Sequence, residues 1–255
     1  MTPTTQKQIV MSGMRPTGAL HLGHYWGVLK NWIQLQHQYD CYFMVADWHA
    51  LTTQWETPQD IAANVHEMVL DWLAVGLDPE KCVIYRQSDI LQIAELSLLL
   101  GMLVPQKWVE TDPTLKDMVE SGDINYGLLG YPVLQTADVL SVGGTLVPVG
   151  KDQVAHLEIS RDIVKRFNHL YKALLPSPKP LLTDTPALLG LDGRKMSKSY
   201  GNTIALKDSE EETTKKIKTA ITDPARIKKT DPGNPDDCVA VWPYYKILAD
   251  EATQN

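Results

Sequence analysis

Short apolar runs that alternate with segments of helical periodicity constrain the fold of this chain most strongly. The apolar runs cover residues 8–11, 41–46, 82–85 and 145–149. Helical patterns follow them at residues 25–38, from Thr57 and Pro58 to Gly76, and at about 152–171. Strands that alternate with helices form βαβ units, so the sequence predicts an α/β fold with a parallel sheet. Ligands of such sheets bind at the carboxyl ends of the strands.

Composition excludes several classes of protein. The chain has 255 residues, which is enough for one α/β domain and the beginning of a second. Its three cysteines are widely spaced and form no CxxC pair, which argues against a disulfide scaffold and predicts a reducing, cytoplasmic setting. The N-terminus does not resemble a signal peptide, and no apolar run is long enough to span a membrane, so no membrane partner is expected.

Charge gives a weaker signal. The net charge of −7 does not favour RNA as a partner, although basic residues crowd one segment at positions 215–229. An ordinary solvated surface explains that segment as well as an RNA-binding surface does.

Two short motifs indicate a nucleotide site. His21 and His24 flank Gly23 in an HxGH turn, and the Lys-Met-Ser-Lys-Ser run at 195–199 lies between Gly193 and Gly201. A helix that begins at the imidazole pair would offer free N–H groups to a phosphate. Neither a P-loop with its Lys-Ser/Thr ending nor a GxGxxG fingerprint is present, so the two better-known phosphate loops are excluded.

The residue types in these motifs suit phosphoryl chemistry. Attack of a carboxylate on the α-phosphorus of ATP builds negative charge on the phosphorus centre and on the leaving pyrophosphate. His21 and His24 can donate N–H groups to those oxygens, while Lys195 and Lys198 can neutralise the pyrophosphate. Arg15 stands where it can hold a phosphate or stack on adenine.

A third feature concerns the second substrate. Pro132 can begin a helix on which Tyr131, Gln135 and Asp138 form a polar stripe. The stripe has two interpretations: it lines a binding pocket, or it is the solvent-facing side of the helix.

These motifs resemble the class I aminoacyl-tRNA synthetases, whose signatures are written HIGH and KMSKS; here Leu22 replaces the Ile of the first. The resemblance narrows to bacterial tryptophanyl-tRNA synthetases through further segments, in order, over nearly the whole chain. They are residues 12–18, 47–50, 131–132, 137–138, 147–153, 192–194, 222–226 and 231–234.

The resemblance implies a Rossmann-type parallel sheet followed by the start of a helical C-terminal domain. It also implies ATP-dependent activation of L-tryptophan to tryptophanyl-adenylate, transfer to tRNA(Trp), a homodimer, and Mg²⁺ accompanying ATP. No protein metal site is expected, because no carboxylate cluster marks one.

The site residues implied by the resemblance fall into two groups. The first would surround ATP: Arg15, Pro16, Thr17, Gly23, His24, Gly150, Lys151, Asp152, Leu188, Lys195, Met196, Ser197, Lys198 and Ser199. In the second, Asp138 would accept the indole N–H, and the remaining members would hold the ammonium group or shape the pocket: Tyr131, Gln135, Gln153, Met11 and His49. Several members of the family carry Met where Gln135 stands, so amino-group recognition is expected to differ in detail.

Three alternatives compete with this reading. Tyrosyl-tRNA synthetase shares both motifs but would place a tyrosine on the first strand, where Met11 stands. A cofactor-forming adenylyltransferase also uses HxGH, but residues 159–161 do not complete its ISSTxxR-like stretch. A catalytically silent tryptophan-binding relative would not require the intact histidines and lysines.

The resemblance also gives expected domain bounds. Residues 1–202 would form the catalytic domain, with a dimer-interface insertion at about 91–130, and residues 203–255 the beginning of an anticodon-binding domain. We expect that domain to be truncated, so that the chain makes the adenylate but transfers it poorly to tRNA.

Overall fold

The computed structural model describes residues 8–111, 115, 124–150, 154–182, 188–228, 230–250 and 253. The chain forms two compact units: Met1–Gly18 with Trp32–Asp184, and Ala19–Asn31 with Thr185–Asn255. The expected domain boundary after residue 202 lies inside the second unit. The HxGH turn and residues 188–202 belong to that unit, where backbone hydrogen bonds join them to residues 202–206 and 221.

The first unit is built on a five-stranded sheet. Its strands are β1 (Ile9–Met14), β2 (Asp40–Val45), β3 (Cys82–Arg86), β4 (Leu146–Val149) and β5 (Lys179–Leu182). The spatial order is β3-β2-β1-β4-β5, and every neighbouring pair is parallel. The predicted α/β class and parallel sheet are confirmed. The chain runs outward from β1 in one direction and then returns to β4, so the topological switch point lies between β1 and β4.

Helices surround this sheet. They are α2 (Lys30–Leu35), α3 (Asp47–Gln54), α4 (Pro58–Ala74), α5 (Leu91–Gly101), α6 (Gln106–Val109), α7 (Tyr126–Leu129), α8 (Tyr131–Ser141) and α9 (Val154–Leu170). Helix α1 belongs to the second unit and is described with it. A 3₁₀ turn, Gln87–Asp89, follows β3 directly.

Aromatic side chains fill the space between part of the sheet and its helices. The indole of Trp32 on α2 stacks on Phe43 of β2, with ring centroids 4.4 Å apart, and meets Trp72 of α4 edge-on at 5.1 Å. All three are buried. This packing fixes α2 and α4 against the strand whose carboxyl end leads into α3.

The second unit is largely helical. It contains α1 (Leu22–His24), a π-helical stretch (Tyr25–Leu29) that continues from it, α10 (Glu210–Lys218) and α11 (Val241–Leu248). Trp26, Leu188, Leu191, Met196, Ile204 and Tyr244 form its core. The helix predicted to begin at residue 25 begins earlier, at Leu22, because His21 caps it.

Candidate active site

The imidazole pair organises the start of α1. His21 is the N-cap residue, and its Nδ1 accepts the N–H of Gly23 at 3.1 Å. The Nδ1 of His24 accepts the N–H of His21, also at 3.1 Å. The two rings lie 3.8 Å apart between centroids. These reciprocal bonds satisfy N–H groups that a helix start leaves without partners.

Burial and nearby charge decide the protonation state of both rings, and the same bonds decide the tautomer. Burial, followed by the nearby positive charge of Lys198, lowers the pKa of His21 from 6.5 to about 4. Burial, His21 and Lys198 together lower the pKa of His24 to about 3. Because each neutral ring uses Nδ1 as an acceptor, each carries its proton on Nε2. The pair therefore presents two neutral N–H donors near neutral pH.

Gly23 joins this turn to the lysine motif. Its N–H also points to the Sδ of Met196, 3.3 Å away. A Cβ at this position would lie 3.0 Å from His21 Nδ1 and 3.3 Å from the Met196 sulfur, so a side chain would crowd both. Backbone bonds reinforce the contact: Leu22 N–H donates to Ile204 O at 3.0 Å, and Leu206 N–H donates to Leu20 O at 2.8 Å. The structure thus brings the two predicted motifs together.

The lysine motif is held in a compact loop. Leu189 and Lys195 form an antiparallel bridge around a turn in which Gly193 has a φ of +75°. Gly201 ends the 3₁₀ turn Lys198–Tyr200 with a φ of +63°. Both glycines occupy a region that side-chain-bearing residues rarely adopt.

Asn202 is the centre of that loop, and the sequence analysis did not identify it. Its buried amide donates to Asp192 Oδ1 at 2.7 Å and to the carbonyl of Lys195 at 3.1 Å, and it accepts the N–H of Ser197 at 2.8 Å. The bond from Asn202 contributes most to lowering the pKa of Asp192 to about 2. A Cβ on Gly190 would meet the Asn202 amide at 2.2 Å, so Gly190 leaves room for it.

The cationic side chains of the motif point outward. Lys195 and Lys198 are exposed, as is Ser199, while Met196 is buried in the core of the unit with Leu188. The hydroxyls of Ser197 and Ser199 lie 2.9 Å apart. Partial burial lowers the pKa of Lys198. The arrangement offers two exposed cations beside two fixed N–H donors, which suits a polyphosphate.

The remaining predicted ATP residues belong to the first unit. Arg15, Pro16 and Thr17 follow β1, and Gly150 follows β4, the strand paired with it. They therefore share the carboxyl edge of the sheet at the switch point. Lys151, Asp152 and Gln153 lie outside the described residues.

Asp138 occupies a buried position on α8. Only 1% of its surface is exposed, whereas Tyr131 and Gln135 are half-buried. The alternative that this stripe faces solvent is therefore wrong for Asp138. Met11 is also buried, in the core cluster that includes Ala137 and Val139.

Two side chains hold the Asp138 carboxylate. His49 Nε2 lies 2.8 Å from Oδ2, and the amide Nε2 of Gln87 donates to Oδ1 at 2.8 Å. Burial raises the pKa of Asp138, and the bonds from His49 and Gln87 oppose that effect. Gln87 was missed by the sequence analysis; its position directly after β3, at a strand end, was the available signal.

Tyrosine side chains complete the surroundings of this group. The Tyr131 hydroxyl lies 3.3 Å from His156 Nδ1, and its ring meets His49 edge-on at 6.3 Å. The Tyr85 hydroxyl is buried, and no hydrogen-bond partner for it is found among the described residues. Burial, with the Asp138 charge, raises its pKa.

Two features are absent from the described residues, a metal site and a membrane-spanning helix. No group of three or more His, Cys, Asp or Glu side chains there is arranged to hold a metal ion. None of the helices in those ranges combines the length and the apolar character needed to cross a membrane.

Comparison with known proteins gives a consistent result. A family profile described as tRNA synthetases class I (W and Y) matches residues 3–254. Tryptophan–tRNA ligase of Aquifex aeolicus is 40% identical, covering 94% of this chain and 79% of the relative. The Thermotoga maritima enzyme of that name is 47% identical, and the match covers 94% of this chain and 74% of that relative.

Solved structures agree with the sequence comparison. Tryptophanyl-tRNA synthetase from Campylobacter jejuni, complexed with ADP and tryptophan, matches with a TM-score of 0.89 at 33% identity, over 97% of this chain and 77% of that one. The chain therefore belongs to the class I tRNA synthetase family of the tryptophan and tyrosine enzymes, on its bacterial tryptophanyl-tRNA synthetase branch.

Proposed function

We propose that this chain activates L-tryptophan with ATP, releasing pyrophosphate, and transfers the tryptophanyl group from the adenylate to tRNA(Trp). The hydrogen bond between Gly23 and Met196 carries the proposal, because it joins the HxGH turn and the lysine loop in one site. The tryptophan–tRNA ligases that match most of the chain support the choice of amino acid.

Activation requires positioning and charge stabilisation. A carboxylate oxygen of tryptophan bonds to the α-phosphorus of ATP as the bond from that phosphorus to the bridging oxygen of pyrophosphate breaks. The neutral Nε2–H groups of His21 and His24 donate to the phosphate oxygens as their charge grows. Lys195 and Lys198 then neutralise the departing pyrophosphate. Mg²⁺, expected to accompany ATP, would neutralise part of the phosphate charge.

Further ATP-binding residues are assigned within each unit on the family resemblance. Gly23, Leu188, Met196, Ser197 and Ser199 would support the adenylate-forming end of the site through the contacts described above. Arg15, Pro16, Thr17 and Gly150 would meet the nucleotide at the switch point of the sheet, where α/β proteins bind such ligands. Lys151 and Asp152 are assigned on the family resemblance alone.

Tryptophan recognition centres on Asp138. Its buried carboxylate would accept the indole N–H, and a site built around such a bond rejects analogues without the donor much more strongly than shape alone does. Tyr131, Gln135 and Gln153 would hold the ammonium group, with Met11 and His49 shaping the pocket. The related Campylobacter jejuni enzyme was solved with ADP and tryptophan, which supports this division into two subsites.

The second half-reaction involves tRNA. The 3′-terminal ribose hydroxyl of tRNA(Trp) attacks the carbonyl carbon of the adenylate, and AMP leaves. The basic segment that includes Lys215, Lys218, Arg226 and Lys228 is suited to phosphate contacts with the RNA. We assign residues 203–255 to the beginning of the anticodon-binding domain and residues 1–202 to the catalytic domain.

A homodimer is supported by an apolar surface of the first unit. Leu91, Leu98, Leu99 and Met102, on α5 and at its end, are 54–71% exposed. A patch of this kind marks interaction sites in soluble proteins. It lies within the expected dimer-interface insertion at about 91–130, of which residues 112–114 and 116–123 lie outside the described residues.

We place the enzyme in the cytoplasm. Its three cysteines, Cys41, Cys82 and Cys238, are free in the structure, and two of them are buried. Free cysteines suit the reducing compartment in which protein biosynthesis charges tRNA.

Amino-acid-dependent exchange of labelled pyrophosphate into ATP tests the proposal. Tryptophan should drive the exchange and tyrosine should not. Exchange driven by tyrosine alone would overturn the substrate, and no exchange with either amino acid would overturn the enzymatic function. Acylation of tRNA(Trp) measured in parallel tests the second half-reaction separately.

A further inference from the structure

Gln87 connects the Asp138 carboxylate to the start of α3. It is fully buried, with 0% of its surface exposed, and lies in the 3₁₀ turn Gln87–Asp89. Its Oε1 accepts the N–H groups of Trp48 at 3.1 Å and His49 at 3.3 Å, while its Nε2 donates to Asp138 Oδ1 at 2.8 Å. A single side chain therefore makes three hydrogen bonds across two segments of the fold.

The two backbone donors fix the orientation of the Gln87 amide. Only its oxygen can accept two N–H groups, so its nitrogen must face Asp138. An amide nitrogen can only donate, and a buried donor is costly to leave unpaired. Asp138 Oδ1 is therefore held as an acceptor.

Two acceptor positions of Asp138 are then occupied. A carboxylate offers about four acceptor positions, and Gln87 and His49 occupy one on each oxygen. The positions that remain allow the carboxylate to accept a further donor. A single ligand N–H, such as that of an indole, meets this requirement.

We propose that Gln87 is a positioning residue for tryptophan selection: its amide orients the Asp138 carboxyl group so that this group accepts the indole N–H. The inference rests on the proposed function, in which Asp138 is the indole acceptor. Gln87 itself touches neither substrate in this scheme and acts through Asp138.

The substitution Gln87→Glu separates the two halves of this role. The new carboxyl keeps an oxygen for the Trp48 and His49 N–H groups, but it can donate to Asp138 only when protonated. While the pair keeps one proton, the new carboxyl can still donate to Asp138. When the last proton leaves at higher pH, like charges repel in a buried site and the orientation of Asp138 is lost. Titratable and charged groups on the neighbouring elements that enter the same balance are Asp47, His49, Tyr85 and Arg86.

The experiment measures the KM for tryptophan in pyrophosphate exchange as a function of pH. Near pH 8 we expect about a tenfold or larger increase for Gln87→Glu, since a lost bond to a charged group is worth about 1.5–3 kcal/mol. As the pH falls towards about 5.5 the protonated carboxyl resembles the amide. The KM should then return towards the wild-type value. The KM for ATP should stay unchanged.

A second readout uses 3-(3-benzothienyl)alanine, an analogue in which sulfur replaces the indole N–H. Wild type should strongly prefer tryptophan. Gln87→Glu at high pH should lose about tenfold or more of that preference, because the hydrogen bond that distinguishes the two ligands is weakened. A purely structural role for Gln87 would leave this ratio unchanged.

Gln36→Glu is the matched control. Gln36 is also buried and also bridges two segments, donating to Gly76 O at 3.0 Å and accepting the Asp78 N–H at 2.9 Å. The Gln36→Glu variant should lose stability but keep the wild-type KM for tryptophan and the wild-type preference for tryptophan over the analogue. If Gln87→Glu does not fold, Gln87→Met should show the raised tryptophan KM at every pH.

The outcomes are distinguishable. An inactive wild type would refute the proposed function and leave the bonds of Gln87 without that purpose. If the wild type is active and Gln87→Glu keeps the wild-type KM for tryptophan and the wild-type preference for tryptophan over the analogue, the positioning role alone is refuted. The same holds for Gln87→Met, if that variant is used instead. A loss in Gln87→Glu that does not respond to pH would also refute it, because the donor would then be irrelevant.

Discussion

At the scale of single residues, environment decides what each side chain can do. His21 and His24 become N–H donors because backbone N–H groups occupy both Nδ1 atoms and burial disfavours their charged forms. Asp138 is held by two donors while burial works against its charge. None of these states follows from residue type, since an ordinary histidine is partly charged near pH 6.5 and an ordinary aspartate is exposed.

The histidine pair makes the stability of the protein depend on pH. Below pH 6.5 the unfolded chain binds protons that the folded histidines do not take up until about pH 4 and about pH 3. The free energy of unfolding should therefore fall as the pH is lowered from 6.5, by at most about 1.4 kcal/mol per pH unit for each histidine. His24→Asn should show a shallower fall.

Urea unfolding at a series of pH values between about 7 and 5 checks this prediction. His66→Asn, at an exposed position on α4, should give a curve parallel to that of the wild type. Parallel curves for His24→Asn and wild type would mean that His24 is not held neutral.

At the scale of elements, short pieces of structure position the chemistry. The three-residue helix α1 is stable because His21 caps it, a π-helical stretch continues it, and Leu22 N–H donates to Ile204 O. The lysine loop keeps its shape through the Asn202 amide. Both elements meet at Gly23, where backbone, imidazole and thioether come within contact distance.

Gly23→Ala tests this junction. The added methyl group would crowd the His21 ring, which is tied by its bond from the Gly23 N–H, and the Met196 sulfur. Displacement of a catalytic group by a fraction of an ångström to 1 Å costs up to about 100-fold in rate, so we expect kcat for pyrophosphate exchange to fall by about 10- to 100-fold. The KM for tryptophan should change little.

Gly27→Ala provides the control in the same helical segment. Apart from its chain neighbours and its own helix backbone, no atom of the described residues lies within 4 Å of the place that its Cβ would take. Its kcat should equal that of the wild type. Equal activity of both variants would show that the close approach at Gly23 is not needed.

At the scale of the whole molecule, a parallel sheet supplies the frame for the first unit. Strand ends at β1, β2, β3 and β4 are followed by Arg15, Asp47, Gln87 and Gly150. The second unit carries the imidazole turn and the lysine loop on its own core. Among the described residues, none covers the exposed leucines of α5.

Leu98→Glu tests the dimer. A charge placed on the exposed face of α5, where Leu98 is 66% exposed, should oppose burial of that face against a second copy. Sedimentation equilibrium should show a dimer for wild type and a monomer for the variant. Leu248→Glu, at a leucine of similar exposure (62%) on α11, should remain dimeric. A dimeric Leu98→Glu would place the interface elsewhere.

Most of the sheet could be predicted from the sequence because periodicity is a local signal. Apolar runs gave four of its five strands to within a few residues. The strand β5 was missed: its Lys-Pro-Leu-Leu run contains a proline, which reads as a loop, yet proline is tolerated on an edge strand such as this one. The HxGH and lysine motifs were likewise visible, since their residue types and spacing are local.

The sequence alone determined the α/β class, the two motifs and the candidate carboxylate Asp138. Only the tertiary structure decided which groups complete them, because these partners are distant in the chain. Gln87 stands 51 positions from Asp138, and Gly23 stands 173 positions from Met196. Spacing carries no information about contacts at that separation. Burial and hydrogen bonds across such distances set the donors, the acceptors and their charge, and these exist only once the chain has folded.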